Sequence, residues 1–301
     1  MRLVTYSIGE KPVVCKTDGV GIARLNDYLD VPIEDMSALI AAWPRVSDKV
    51  RSVDRYDLPL ERERLQAPIL RPGKIFGIGM NYADHVAEAS MEMPTDQIWF
   101  TKAVTAVTGP FAPIERPRVS ARLDYEAELV VIIGKRCRHV ELDEAQDVIF
   151  GYSVGNDVSV RDWQMRTSQF VLGKSFDTHA PFGPWIMTAD SVDPSDLGIR
   201  SFVNGELRQT SRTRHMIFNC AAQIAHLSQA MTLEPGDILF TGTPGGVGAV
   251  MKPPKWLAPG DSVRVEIDEI GSIENPVIAE ADAGATATSA SQAISKSRSN
   301  Q

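Results

Sequence analysis

Apolar positions change their rhythm along this chain, and the changes mark its elements. A short run at Leu3–Ser7 reads as a strand, followed by a turn at Thr17-Asp18-Gly19. Met36, Leu39, Ile40 and Trp43 recur at helical spacing and form one apolar face, and Pro44 is expected to end or kink that helix. The charged stretch from Asp54 to Arg64, with Pro59 inside it, reads as a linker. From Pro68 onward, short apolar runs alternate with Gly, Pro and Asp turns, as in a β-rich body. The predicted strands are Lys74–Ile78, Glu128–Ile133, Ile149–Asn156, Ile186–Thr188, Ile238–Thr241 and Val263–Ile267. One helix interrupts them, carrying Ile217, Cys220, Ala221, Ile224, Leu227 and Met231 as a stripe; His226 beside it reads as a surface or satisfied core histidine. Residues Ala281 to Gln301 hold few large apolar side chains to offset the entropy of ordering, and a flexible tail is expected there. The resulting division is a small α+β unit over 1–65, a β-rich body over 66–280 and a tail over 281–301, without internal repeats.

Composition narrows the partners. The chain has 301 residues, 43% hydrophobic and 23% charged, which suits a globular protein with a sizeable core. Its 31 Lys+Arg against 39 Asp+Glu leave a net charge of -8, and no basic run offers a track for nucleic acid. A small anionic ligand would therefore be held by a metal or by a few placed cations, against the global field. Cys15, Cys137 and Cys220 lack the paired spacing of a zinc or redox motif and read as buried or free thiols. No apolar run has membrane-spanning length and the N-terminus has no signal-like core, so a cytoplasmic protein without a membrane partner is expected.

Candidate chemistry centres on acids. In Leu123-Asp124-Tyr125-Glu126-Ala127-Glu128-Leu129, two carboxylates stand at i and i+2 where an apolar strand begins, so period-two geometry puts both on one face. A solvated strand end is the plainer reading of the pair alone; a cation between them explains two like charges beside a core strand. Asp157 follows another predicted strand and supplies a third carboxylate, with Asp162 as its competitor. Three oxygen donors suit Mg²⁺ or Mn²⁺, with water and substrate oxygens completing the shell, whereas zinc prefers His or Cys. Asn81 reads as the N-cap of a short helix on which His85 and Glu88 share a face. A surface ion pair is the plainer reading; a glutamate that fixes the imidazole tautomer would make the other ring nitrogen a base. Lys174 sits in a predicted loop and could reach a site, though most loop lysines are solvated. Thr241-Gly242-Thr243-Pro244-Gly245-Gly246-Val247-Gly248 offers backbone N–H groups for a carboxylate, but it lacks the ending of a phosphate loop, and Gly77-x-Gly79 is too short for a dinucleotide fingerprint.

From about Lys74 to Val277 these segments occur in an order that resembles the fumarylacetoacetate hydrolase superfamily: Gly-x-Asn-Tyr-x-x-His-x-x-Glu, Asp-Tyr-Glu-x-Glu-Leu, Asn-Asp-x-Ser-x-Arg-Asp-x-Gln, Lys-Ser-x-Asp-Thr and Thr-Gly-Thr-Pro-x-Gly-Val-Gly. The resemblance implies a β-rich α+β fold, with a mixed β-sandwich or β-roll of few helices behind a variable N-terminal region, and a homodimer. It matches Glu126, Glu128 and Asp157 to metal ligands, and His85 and Glu88 to a water-activating dyad. Lys174 and Thr178 match residues near metal and substrate, and Arg161, Gln164 and Thr243 match substrate contacts. Ile78 and Met80 stand where larger members carry a further aspartate, which implies the three-carboxylate site. The implied cofactor is Mg²⁺ or Mn²⁺, with Ca²⁺ as a substitute in crystals. The implied activity is hydrolysis of a C–C bond in a 2,4-dioxo acid, such as an acylpyruvate or a sugar-derived diketo acid. Decarboxylation of oxaloacetate and hydration or isomerisation of unsaturated 2-oxo acids are alternatives on the same chemistry, and a non-catalytic acid-binding protein is the alternative outside enzymes.

Overall fold

The computed structural model describes residues 1–9, 11–88 and 92–281. Strand outweighs helix, 36% against 24%, which makes this a β-rich α+β protein. The larger sheet runs, by residue range, 58–59, 21–24, 11–17, 2–8, 180–188, 149–156, 127–133, 238–240, 75–79, 98–101, with Val107–Thr108 joining Ala180–Thr188 in parallel. Neighbours along that order are antiparallel except Ile238–Phe240 beside Ile75–Gly79. A second sheet orders 206–212, 198–203, 262–267, 271–279, 114–116.

Alternation along Ala127–Ile133 explains how the layers stack. Val130 and Ile132 face a core containing Leu39, Ile40, Val46 and Val50 of the helix Met36–Ser52. Leu129, Val131 and Ile133 face the opposite way, into a core with Val265, Ile267 and Ile273 of the second sheet and Ile224 and Leu227 of the helix Cys220–Ala230. The strand is thus buried on both faces, which its unbroken apolar run requires. Glu126 and Glu128 share the parity of Val130 and Ile132, at the end where this apolar cover stops.

Residues 1–65 add to this sheet: Arg2 and Leu3 pair with Met187 and Ile186, and Leu3, Val14, Ala23 and Leu25 share a core with Phe182 and Phe240. Pro44 does not end the helix, which runs to Ser52. Val46 and Val50 continue the buried stripe while Pro44 itself is exposed, and the Lys16 ammonium donates to the Val50, Arg51 and Val53 carbonyls at 3.2, 3.0 and 2.5 Å. The expected linker at 54–64 instead contributes an edge strand, Leu58–Pro59, paired with Gly21 and Ile22. An edge position tolerates Pro59 because one side of it needs no ladder bond. His226 is exposed. Of the expected tail, residues 282–301 lie outside the described residues.

His179 ties the segment after Lys174 to the second sheet. Its Nε2 donates to the Glu115 carbonyl at 2.8 Å, and its buried Nδ1 has no partner among the described residues. Burial holds the imidazole down, at about 3 against an ordinary 6.5. Between those values the unfolded chain takes up a proton that the folded chain refuses. Stability is therefore complete above 6.5 and falls as pH drops toward 3, at up to about 1.4 kcal/mol per pH unit. His179→Gln, whose amide can still donate to Glu115, is expected to unfold with a shallower pH dependence between pH 6.5 and 4. Parallel denaturation profiles for the two proteins would show that another group sets the slope.

Candidate metal centre and cavity

The strand ladder assembles the acids. Ala127–Ile133 pairs antiparallel with Ile149–Asn156, Glu128 opposite Gly155, and the ladder extends one bond further, Asp157 N–H donating to the Glu126 carbonyl at 2.9 Å. Side-chain oxygens of Glu126, Glu128 and Asp157 consequently lie within 4.8 Å of one another, all three buried. Asp162 is not part of the group; its carboxylate accepts from the Ser120 hydroxyl at 2.6 Å.

Two lysines partly neutralise this charge. Lys174 Nζ donates to Glu126 Oε2 and Asp157 Oδ2, both at 2.6 Å, and stacks 4.8 Å above the Phe100 ring. It ends the helical turn Val171–Lys174 and is buried, so the expected loop lysine is a core residue. Lys102, at the end of the strand Ile98–Thr101, donates to Asp157 Oδ1 and to the Val158 carbonyl. Sequence reasoning missed Lys102; a lysine closing the apolar run Ile98-Trp99-Phe100 was its only signal. Glu128 has no ion-pair partner among the described residues and accepts only the Gly242 N–H, at 2.7 Å. Burial, and then Asp157 and Glu126, push its carboxyl well above the ordinary range. Burial would raise Glu126 too, but Lys174 and Arg161 outweigh it and bring that carboxyl to about 2. Burial lowers the Lys102 ammonium, while Asp157 and Glu126 outweigh burial and hold Lys174 above its usual value. A hard divalent cation fits this donor set: three close carboxylates, one of them without an ion-pair partner among the described residues.

Glu126 of the triad lines a cavity of about 320 Å³. His85, Arg161, Gln164, Lys174 and Thr243 give it polar groups, and Ile98, Phe100, Met165, Phe170, Val247 and Val250 give it apolar surface. His85 Nδ1 lies 2.9 Å from Glu88 Oε1, and the other Glu88 oxygen accepts the Gly246 N–H at 2.8 Å. Asn81 does not cap the short helix Ala83–Glu88. Its amide donates to the Phe218 and Thr241 carbonyls and accepts the Phe218 N–H, welding the end of Ile75–Gly79 to its neighbours. Arg161 donates Nε to Asp124 and Nη1 to Gln164 and Glu126, at 2.8, 2.9 and 2.7 Å, while its buried Nη2 has no partner among the described residues. Thr243 Oγ1 donates to the Ala127 carbonyl and accepts from Gln209. Thr178 is not among the residues lining the cavity: its hydroxyl accepts the Glu115 N–H at 2.9 Å.

The glycine loop behaves differently from expectation. Its N–H groups point to the protein's own acids: Gly242 to Glu128, Gly246 to Glu88, and Gly248 with Ala249 to Asp124. Glycine is needed for this. Gly242 has φ +96° with Asn81 Cβ 2.6 Å from where a Cβ would stand, and Gly246 has φ +104° with the Arg208 carbonyl 2.1 Å away.

Fold and cavity together define a β-sandwich protein built around a buried acidic triad able to hold a divalent metal. The chain belongs to the fumarylacetoacetate hydrolase family: residues 74–278 match the model of the fumarylacetoacetate (FAA) hydrolase C-terminal domain. It is 41% identical over 288 residues to the mitochondrial oxaloacetate tautomerase fahd2 of Xenopus laevis, covering 92% of this chain and 90% of that protein. Among solved structures it resembles the fumarylacetoacetate hydrolase of the psychrophile Exiguobacterium antarcticum (TM-score 0.81, 35% identity, covering 93% of this chain and all of that one). It also resembles the maleylpyruvate hydrolase of Sphingobium sp. SYK-6, solved with manganese(II) and pyruvate (TM-score 0.77, 32% identity, 93% and 100% covered).

Proposed function

We propose that this chain is an enzyme that moves a proton at the carbon beside the 2-oxo group of a small 2-oxo acid, with keto–enol tautomerisation of oxaloacetate as its reaction. The observation that carries this reading is that His85, oriented by Glu88, lines the same cavity as Glu126 of the acidic triad and as Arg161, whose Nη2 has no partner among the described residues. Glu126, Glu128 and Asp157 would hold Mg²⁺ or Mn²⁺. A divalent ion there supplies Lewis-acid polarisation to the substrate oxygens. Arg161 Nη2 binds the substrate carboxylate, and Thr243 and Gln164 flank it. With Nδ1–H donated to Glu88, His85 Nε2 exchanges the proton at C3. In the enol-to-keto direction C3 gains that proton, the C2=C3 pair forms the new C–H bond, and the O–H pair becomes C2=O as its proton leaves to solvent. The oxaloacetate activity named for the relatives supports this reading.

A second reading, hydrolysis of a 2,4-dioxo acid, is favoured by the apolar side chains Ile98, Met165, Phe170, Val247 and Val250 in the cavity lining, which suit an acyl group. There His85 takes the proton of a water that adds to C4, and the C3–C4 bond breaks to give pyruvate and a carboxylic acid. Incubating the Mn²⁺-loaded protein with oxaloacetate enol and with straight-chain acylpyruvates separates the two. Accelerated loss of enol absorbance at constant oxaloacetate supports the first, and pyruvate plus a free acid supports the second. Both fail if neither occurs in Mn²⁺ or Mg²⁺ beyond the rate seen in excess chelator.

A further inference from the structure

We propose that Asp124 is a positioning residue that aims Arg161 into the cavity by joining its guanidinium to the main chain of the neighbouring turn Gly248–Val250. The inference rests on the reading above, in which Arg161 Nη2 receives the substrate carboxylate. Asp124 is fully buried and does not itself line the cavity. Its Oδ1 accepts the N–H groups of Tyr125 and Gly248 at 3.0 and 2.8 Å, and its Oδ2 accepts Ala249 N–H at 3.0 Å and Arg161 Nε at 2.8 Å. Each oxygen thus serves two donors, which leaves little capacity for a metal and marks this acid as a joint.

The backbone prepares both ends of that joint. Leu123–Asp124 and Ser159–Val160 form a two-stranded ladder with Ser159 opposite Asp124, and Arg161 N–H continues it to the Arg122 carbonyl at 3.0 Å. Asp124 and Arg161 are therefore held in fixed register before their side chains meet. On the far side, a Cβ at position 248 would stand 2.0 Å from the Lys255 carbonyl and 2.8 Å from Asp124 Oδ1, so glycine permits the close approach. Ala249 and Val250 beyond it line the cavity. Arg161 Nε and Nη1 are consumed by Asp124, Gln164 and Glu126, which leaves Nη2 as its one nitrogen without a partner among the described residues. Without Asp124 the guanidinium would be fixed from one side only and could turn about its remaining bonds.

Asp124→Asn keeps the shape but not the chemistry, because in either amide orientation an N–H faces N–H donors. In the Mn²⁺-loaded protein, pyruvate or oxalate affinity measured by calorimetry is expected to fall roughly ten- to a hundredfold, the scale of a lost charge-assisted hydrogen bond. KM for oxaloacetate should rise in parallel while kcat and Mn²⁺ affinity change by less than about threefold. In an Arg161→Ala background the same exchange should cost almost nothing more, since the residue acts through Arg161. Ala249→Pro, which removes one donor to Oδ2 and also adds ring carbons at a cavity-lining position, should shift pyruvate affinity in the same direction by less and lose that effect in the Arg161→Ala background, and it decides the matter if Asp124→Asn does not fold. Additive losses in the two backgrounds, a fall in kcat and Mn²⁺ affinity with pyruvate affinity unchanged, or unaltered affinity in Ala249→Pro when that variant alone can be measured would overturn the role of Asp124. A wild-type protein that binds Mn²⁺ but neither pyruvate nor oxalate would instead overturn the 2-oxo acid reading.

Discussion

His85→Ala is expected to lower turnover of the Mn²⁺-loaded protein by roughly 10²–10⁴-fold, the usual contribution of a positioned proton-transfer group. Mn²⁺ affinity should barely change, because His85 bonds to Glu88 and to none of the three acids. Glu88→Gln should lose less. It retains an oxygen for the ring N–H, but it turns an amide N–H toward the Gly246 N–H and gives up the charge that favours the imidazolium formed when Nε2 takes a proton. Steady-state kinetics with calorimetric Mn²⁺ titration checks both. Undiminished turnover in His85→Ala would remove the imidazole from the reaction and leave it a packing group.

Glu128→Gln is expected to move two quantities in opposite directions. Mn²⁺ affinity should fall by more than the roughly 10–100-fold that losing an outer hydrogen-bond partner of a metal ligand costs. The metal-free protein at neutral pH should nevertheless become more stable. The folded-state pKa of Glu128 is raised, so at pH values above its unfolded value of 4.5 the folded chain either carries an extra proton or buries an unfavourable charge, and stability is lost as pH rises through that window. A neutral amide removes the repulsion from Asp157 and Glu126. A higher Tm in chelator together with weaker Mn²⁺ binding is the expected pair of results. A lower Tm in chelator would mean that the charge on Glu128 stabilises the fold, and the case for a cation between these acids would lose its main physical support.

How much of this was legible beforehand depends on how local the signal is. The i, i+2 spacing of Glu126 and Glu128 and the strand-end place of Asp157 carry their own geometry, and the i, i+3 spacing of His85 and Glu88 does too; each pair meets as the spacing requires. The segments 127–133 and 149–156 are legible as strands because they are short, rich in β-branched or aromatic residues and bounded by turn residues, and every residue of each is buried between two layers. What could not be read is what depends on partners far along the chain. Lys102 meets Asp157 across 55 residues, and Asn81 meets Thr241 across 160. Propensity places Asn81 at a helix start, but tertiary bonding claimed all of its amide. The strands Gly198–Val203, Glu206–Arg212 and Gly271–Ala279 went unseen because their half-exposed faces mix charged and apolar residues. The glycine loop was read as open to a ligand because sequence shows donors without showing which acids already claim them.

That last arrangement bears on how such a protein can diversify. Glu128, Glu88 and Asp124 are each gripped by peptide groups of one loop, so their placement is indifferent to which side chains the loop carries at 247 and 250. Those two side chains form part of the surface a ligand's far end would touch. Drift at these positions can reshape that surface while Glu128, Glu88 and Asp124 keep their alignment.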